Sequence, residues 1–394
     1  MRCLRLRRLI VPASLVVALA TAGVARTAPP LSVGASESAS LVPDAVVAKA
    51  RMDLAVLAGL DEIEVRAAWT RGRTAPSADE LASLCAASGA AELDGVRLIV
   101  GVDTGGGSQT PLTAADRAAF AAYTAALAQA LPYVHAFIVG NEPNLNRFWM
   151  PQFDRRGRDV AAPAYESLLA RTYDSLKAVS PQIKVIGGAL SPRGADRPRS
   201  VRPTHSPTAF VRDLGRAYRR SHRSRPIMDT FAIHPYGESS RTPPSVLHPR
   251  STSIGIADYP KLVRLLRDAF HGTAQPGASL PILYAEYGVQ TAIPTAENDA
   301  YTNFAAESAR DAVSETVQGT YYRRAIALAY CQRTVAGLLF FHVSDEHDLD
   351  RWQSGLFYAN DQPKSDLEPV KRTAEAARAG TLSCPRPKAA RRRR

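Results

Sequence analysis

The chain has 394 residues, is 45% hydrophobic and 22% charged, and carries no apolar run long enough to span a bilayer beyond its first 25 residues, which excludes a disordered, fibrous or multi-spanning protein. Its net charge of +12 is concentrated at the ends: Arg2, Arg5, Arg7 and Arg8 at the start and Arg386, Lys388 and Arg391 to Arg394 in the last nine residues leave +2 for everything between. A body so close to neutral argues against a nucleic-acid partner.

The N-terminus reads as an export signal over residues 1–25. Basic residues up to Arg8 precede an apolar stretch over 9–20 and the small-residue pairs Ala20-Thr21-Ala22 and Gly23-Val24-Ala25, with cleavage expected near Ala25. The mature protein is therefore expected to be secreted, with no stable membrane association after cleavage. A short linker, 26–30, leads into a single domain expected over 31–384, and 385–394 form a solvated basic tail.

Within that domain, short β-branched or apolar runs alternate with longer amphipathic stretches eight times. The predicted strands are 31–34, 62–67, 95–102, 134–140, 184–188, 228–234, 281–285 and 337–342. The predicted helices are 43–58, 77–87, 113–131, 163–179, 207–220, 258–270, 320–333 and 364–379. Helix starts carry their signals: Ser77 precedes Asp79 and Glu80, Thr113 stands three residues before Asp116, and prolines occupy opening turns. Eight strand-then-helix units with nearly continuous apolar strands predict a parallel sheet closed into a (β/α)8 TIM barrel. Gly105-Gly106-Gly107 follows a strand but lacks dinucleotide-binding spacing, so it reads as a turn. The loops after strands four, five, seven and eight, 143–162, 189–206, 287–319 and 343–363, are long, which places insertions on the face where such barrels build their sites.

Beyond the signal, Cys85, Cys331 and Cys384 are too few for a disulfide scaffold and lack the spacing of a zinc site. Cys331 and Cys384 fall near the last two helices on the face opposite the long loops, and are the candidate disulfide.

Two carboxylates stand at equivalent strand ends. Gly140-Asn141-Glu142-Pro143 closes strand four, and Ala285-Glu286-Tyr287-Gly288 closes strand seven. Two rim glutamates across one barrel mouth can act on a bond held between them. Asn-Glu-Pro at strand four with Glu at strand seven resembles clan A of the glycoside hydrolases, the retaining (β/α)8 enzymes that include cellulases, β-mannanases and β-xylosidases. The resemblance runs through the mature chain in strand order. It implies a β-glycosidase acting on oligo- or polysaccharide, with Glu142 as acid/base, Glu286 as nucleophile and no cofactor or metal. It also implies supporting roles for His234 and Tyr236 at strand six, for Asn141 on the sugar 2-hydroxyl, and for Arg66 at strand two beside the nucleophile. The chemistry agrees: retention needs one carboxyl that keeps a proton and one held ionised, roughly 5 to 5.5 Å apart.

Aromatic residues near the active-face ends, Trp69, Phe148, Trp149, Tyr287 and Trp352, are candidate platforms for apolar sugar faces. The donor-rich run over 341–350 lacks the glycine of a calcium loop and the spacing of zinc hydrolases, so it reads as a strand-eight loop facing substrate. Arg193, Arg197, Arg199 and Arg202 after strand five read as a solvated charge run, with recognition of uronic acids as the alternative, and no Gly-x-Ser-x-Gly elbow supports an esterase. Two alternatives stay open: a non-catalytic carbohydrate-binding or cell-wall barrel, and a transglycosidase using the same glutamates.

Overall fold

A computed structural model describes residues 30–309 and 311–384; the expected export signal, the expected linker up to residue 29 and the expected basic tail lie outside the described residues. Eight strands and eight helices alternate in chain order: β1 (Ser32–Ser36), α1 (Ala45–Leu57), β2 (Glu62–Ala68), α2 (Ala78–Asp94), β3 (Arg97–Asp103), α3 (Ala114–Ala130), β4 (Ala136–Val139), α4 (Ala161–Val179), β5 (Lys184–Leu190), α5 (Pro207–Arg220), β6 (Thr230–Ile233), α6 (Tyr259–Phe270), β7 (Ile282–Tyr287), α7 (Glu315–Tyr330), β8 (Val335–Phe341) and α8 (Leu367–Arg378). Every neighbouring pair is parallel, and β8 closes on β1 from Ser32 opposite Gly337 to Ser36 opposite Phe341. The architecture is the expected (β/α)8 barrel.

The strand period of two divides the core into two layers. Ile99, Ile138, Ile186, Ala232, Leu283 and Leu339 fill the barrel interior. Val65, Val100, Phe137, Val185, Phe231 and Tyr284, on the opposite strand faces, join the larger core beneath the helices. Strand β2 departs from an apolar interior: Ile63, Val65 and Ala67 pack outward, which turns Glu64 and Arg66 into the lumen. Gly101 makes room for them, since a Cβ there would stand 2.3 Å from Glu64 Oε1.

Two irregularities re-aim side chains at the mouth. The β5–β6 pairing shifts between Gly187 and Leu190, so Ile186 and Ala189 both face inward. The β7–β8 pairing shifts between Tyr284 and Tyr287. By strict alternation from the inward-facing Ala285, Glu286 would face the helices; the bulge turns it into the mouth and sends Tyr287 outward against Tyr322.

The expected caps are present. Ser77 with Glu80 and Thr113 with Asp116 each form a reciprocal capping box. Three expectations need correction. Helix α2 runs past Ala87 to Asp94 and stops at Gly95 in the left-handed conformation, because its alanine-rich second half outweighs the single Gly89. Helix α7 begins at Glu315 rather than Thr320, capped by Ser314, and Gly319 inside it is where Asp366 packs, 2.5 Å from a Cβ built there. The connection from β6 to α6 is also long and belongs with the site-building loops. Cys331, at the C-terminal end of α7, is disulfide-bonded to Cys384, which follows α8. No helix of the described residues is long and apolar enough to cross a membrane.

Candidate active site

The C-terminal ends of β2, β4, β6 and β7 bring Arg66, Glu142, His234 and Glu286 together. Glu142 follows β4 with a positive φ of 39°, a conformation rare for a residue with a side chain, and its N–H donates to Ala189 O at 2.9 Å. That bond links the β4 exit to the bulged end of β5 and fixes where the carboxylate emerges.

Glu286 is almost fully buried and surrounded by donors. The Tyr236 hydroxyl donates to Oε2 at 2.8 Å, and the Arg66 guanidinium donates to Oε1. His234 Nδ1 lies 3.5 Å from Glu286 Oε2 and 3.1 Å from Glu142 Oε1, so a single ring nitrogen faces both carboxylates. Burial works to raise the Glu286 pKa, but the positive His234 and Arg66 and the hydrogen bonds of Tyr236 and Arg66 outweigh it and hold the carboxyl below its usual range. Burial likewise works to lower the His234 pKa, and the two glutamates override it, so His234 favours its charged form. The Tyr236 phenol is pushed far up by burial and by Glu286, which keeps its proton available as a donor.

Arg66 serves three carboxyl groups. Its Nε contacts Glu64 Oε1 at 3.2 Å, its Nη2 holds Glu286, and Asp103 lies close enough to add to its charge stabilisation. Glu64, bonded to the Ser36 hydroxyl, and Asp103 at the end of β3 both have pKa values raised by burial. Burial thus disfavours the charged forms of Glu64 and Asp103, whereas the donors around Glu286 favour its anion. Asn141 borders the same small depression as Asp103, Arg66 and His234.

Of the aromatic candidates, Trp352 is partly exposed and reaches the ring that holds Glu286. It packs 5.3 Å from both Tyr236 and Phe341, beside Glu286. Trp69, Trp149 and Tyr287 are corrected: they are 1%, 2% and 1% exposed and offer no face to a ligand. Trp69 packs on Phe120 and donates to Arg73 O at 2.7 Å, Trp149 packs on Tyr165, and Tyr287 packs on Tyr322. Phe148 is half-buried beneath the Arg147 guanidinium.

The 341–350 run is spent mostly on its own architecture. Asp345 is buried on Lys364 at 2.8 Å and Tyr301 at 2.8 Å, and Asp348 accepts from the Asp350 N–H. His342 stands between Glu37 at 3.8 Å and Glu346 at 3.6 Å, and these contacts override burial to raise its pKa to about 9. Among the described residues no cluster of three or more His, Cys, Asp or Glu side chains has the arrangement of a metal site.

Sequence reasoning missed Glu64, Asp103, Phe341 and Arg193. Glu64 and Asp103 were legible as charges within apolar strands. Arg193, singled out only within a charge run, instead folds inward and donates to the carbonyls of Tyr236 at 3.2 Å and Gly237 at 2.9 Å.

No protein-family model and no curated protein sequence matches the chain. Solved structures do. A GH5_18 protein from Streptomyces cattleya in complex with GlcNAc is similar over 92% of this chain and 83% of its own, with a TM-score of 0.58 and 17% identity. The GH39 enzyme from Xanthomonas axonopodis pv. citri is similar over 88% of this chain and 67% of its own, with a TM-score of 0.53 and 17% identity. The exo-β-1,4-mannosidase Op5Man5 from Opitutaceae bacterium strain TAV5 is similar over 92% of this chain, with a TM-score of 0.57 and 15% identity, and this chain spans 62% of its length. At these identities the likeness is one of fold alone.

Proposed function

We infer that the chain is a secreted retaining β-glycoside hydrolase in which Glu142 is the acid/base and Glu286 the nucleophile. The observation that carries this reading is the contrast between two carboxylates facing one imidazole nitrogen. Glu286 is enclosed by Arg66, Tyr236 and His234, which favour its anion, whereas Glu142 has only His234 among these donors. Distances of 3.1 and 3.5 Å to the same His234 nitrogen keep the nearest carboxylate oxygens within the sum of those contacts. The two carboxylates thus face one another across a single mouth, the arrangement in which a nucleophile and an acid/base act on the same glycosidic bond.

In the first displacement Glu286 attacks the anomeric carbon while Glu142 gives its proton to the glycosidic oxygen, and the aglycone leaves. A covalent glycosyl ester on Glu286 remains. In the second, Glu142 takes a proton from water, the water oxygen attacks the same carbon, and the Glu286 carboxylate departs with net retention. Arg66 and Tyr236 keep Glu286 ionised before attack and stabilise it again as it leaves. Asn141 is assigned to the 2-hydroxyl, and Trp352 to an apolar sugar face.

The test is hydrolysis of aryl β-mannosides, β-glucosides and β-xylosides and the corresponding polysaccharides by the mature protein, beside Glu142→Gln and Glu286→Gln. Turnover of at least one substrate, reduced by several orders of magnitude in both variants, is expected. Oligosaccharide binding without turnover, indifferent to both substitutions, would make the chain a binding barrel. Export is tested separately, by N-terminal sequencing of protein from the culture medium, with a start near residue 26 expected.

A further inference from the structure

On the outside of the barrel, α5 and α6 border a groove enclosing about 580 Å3, closed on one side by the 249–252 segment of the β6–α6 connection. Arg212, Arg216, Arg219, Arg250, Lys261 and Arg264 line it, against the single acid Asp268. Asp268 is already engaged by Arg267 at 2.9 Å. Arg216 pairs with Asp213 along its own helix. Arg212, Arg250 and Arg264 are exposed, and none of the three has an ion pair or side-chain hydrogen bond among the described residues.

The groove is built into the fold. Gly215 lets α5 approach α6 so closely that a Cβ there would stand 2.3 Å from Ala269 O, and Arg219 donates to that carbonyl at 2.6 Å. At the other end Thr208 donates to Thr252 O at 2.9 Å, and Lys261 donates to His248 O at 2.8 Å, which holds the loop over the helices. From Arg212 to Arg219 the cationic wall on α5 runs about 10 Å at the helical rise. Its N-terminal end lies on the side of the barrel where β5 ends and α5 begins. Arg212 and Arg216 are four apart on one helix face, and their mutual repulsion is relieved by a bound anion.

We propose that this groove is a secondary binding site for an anionic glycan, a chain bearing carboxylate or phosphodiester groups. The choice of a glycan rests on the glycosidase reading; the choice of an anion rests on the groove alone. No aromatic side chain lines the groove, whereas single-stranded nucleic acid is held on stacking platforms.

Binding of the full-length protein to polygalacturonate, poly(glycerol phosphate), neutral xylan and a DNA duplex at low and moderate salt tests this, with Arg212→Glu/Arg264→Glu beside it. The basic tail is the same in both proteins, so a difference between them reports the groove. The expected result is binding to at least one anionic glycan, weakened by salt and at least tenfold in the double variant, with aryl-glycoside turnover unchanged. Whichever of the two polymers binds names the charged group. Arg250→Glu, on the loop, provides a second variant with the same expectation should the helix variant fail to fold. Equal binding by wild type and variants, equal binding to xylan, or a DNA duplex held as tightly as the glycans would overturn the proposal. A protein that binds the anionic glycan yet hydrolyses no glycoside would remove the glycosidase reading and leave the groove.

Discussion

Glu286 is kept ionised by neighbours that can be removed singly. Tyr236→Phe deletes one donor, 2.8 Å from Oε2, and leaves the ring that packs on Trp352. A hydrogen bond to a charged group contributes roughly 1.5 to 3 kcal/mol, so kcat/KM should fall about 10- to 100-fold. Because the lost donor favoured the anion, the Glu286 pKa rises and the acid limb of the kcat/KM profile moves to higher pH. Arg66→Met removes a charge as well as a donor and should move that limb further in the same direction. A flat loss of rate with an unmoved limb in both variants would contradict the assigned role. His342 gives a test by stability instead. Its pKa rises from 6.5 unfolded to about 9 folded, so its contribution is fully present below pH 6.5 and is lost as pH rises through 9. His342→Gln should therefore be less stable than wild type at pH 6, by at most about 3 kcal/mol, and match it near pH 10 in denaturant titrations.

At the scale of elements, the alternation of eight strands with eight helices was legible because most strands are apolar runs and helices such as α2 and α3 open on capping signals. Both rim glutamates were legible for the same reason, since each stands at the C-terminal end of an apolar run. The aromatic platforms were not. An aromatic side chain at a strand end suits a sugar face and a helix-packing face equally, and the choice is made by local geometry that pattern cannot reveal. Tyr287 shows this most plainly: the β7–β8 bulge decides that it packs on Tyr322 while Glu286 faces the mouth. The inward Glu64 was passed over because a buried carboxyl needs a partner, and that partner chain, Ser36 and Arg66, exists only once β1 and β2 are paired. The disulfide belongs to this scale as well. Cys331 and Cys384, separated by 53 residues, tie the end of α7 to the segment after α8. Closing such a loop contributes about 4 kcal/mol in the chain-entropy model, so Cys384→Ser should lower the thermal midpoint by several degrees in a calorimetric scan.

At the scale of the molecule, net charge misled where position informed. A body near neutrality conceals a cationic groove along α5 and α6 and a mouth where Glu64, Asp103, Glu142 and Glu286 gather around Arg66 and His234. The proposed function rests on the mouth, on the division of labour between an enclosed anion, Glu286, and an opposing carboxyl, Glu142. It is tested most directly by incubating the protein with the 2-deoxy-2-fluoro analogue of whichever β-glycoside it hydrolyses, then digesting it and locating the added mass by tandem mass spectrometry. The two-carboxylate reading predicts one glycosyl ester, on the peptide that carries Glu286. A label on Glu142, or hydrolysis of the parent glycoside with inversion at the anomeric carbon by NMR and no covalent adduct, would contradict it.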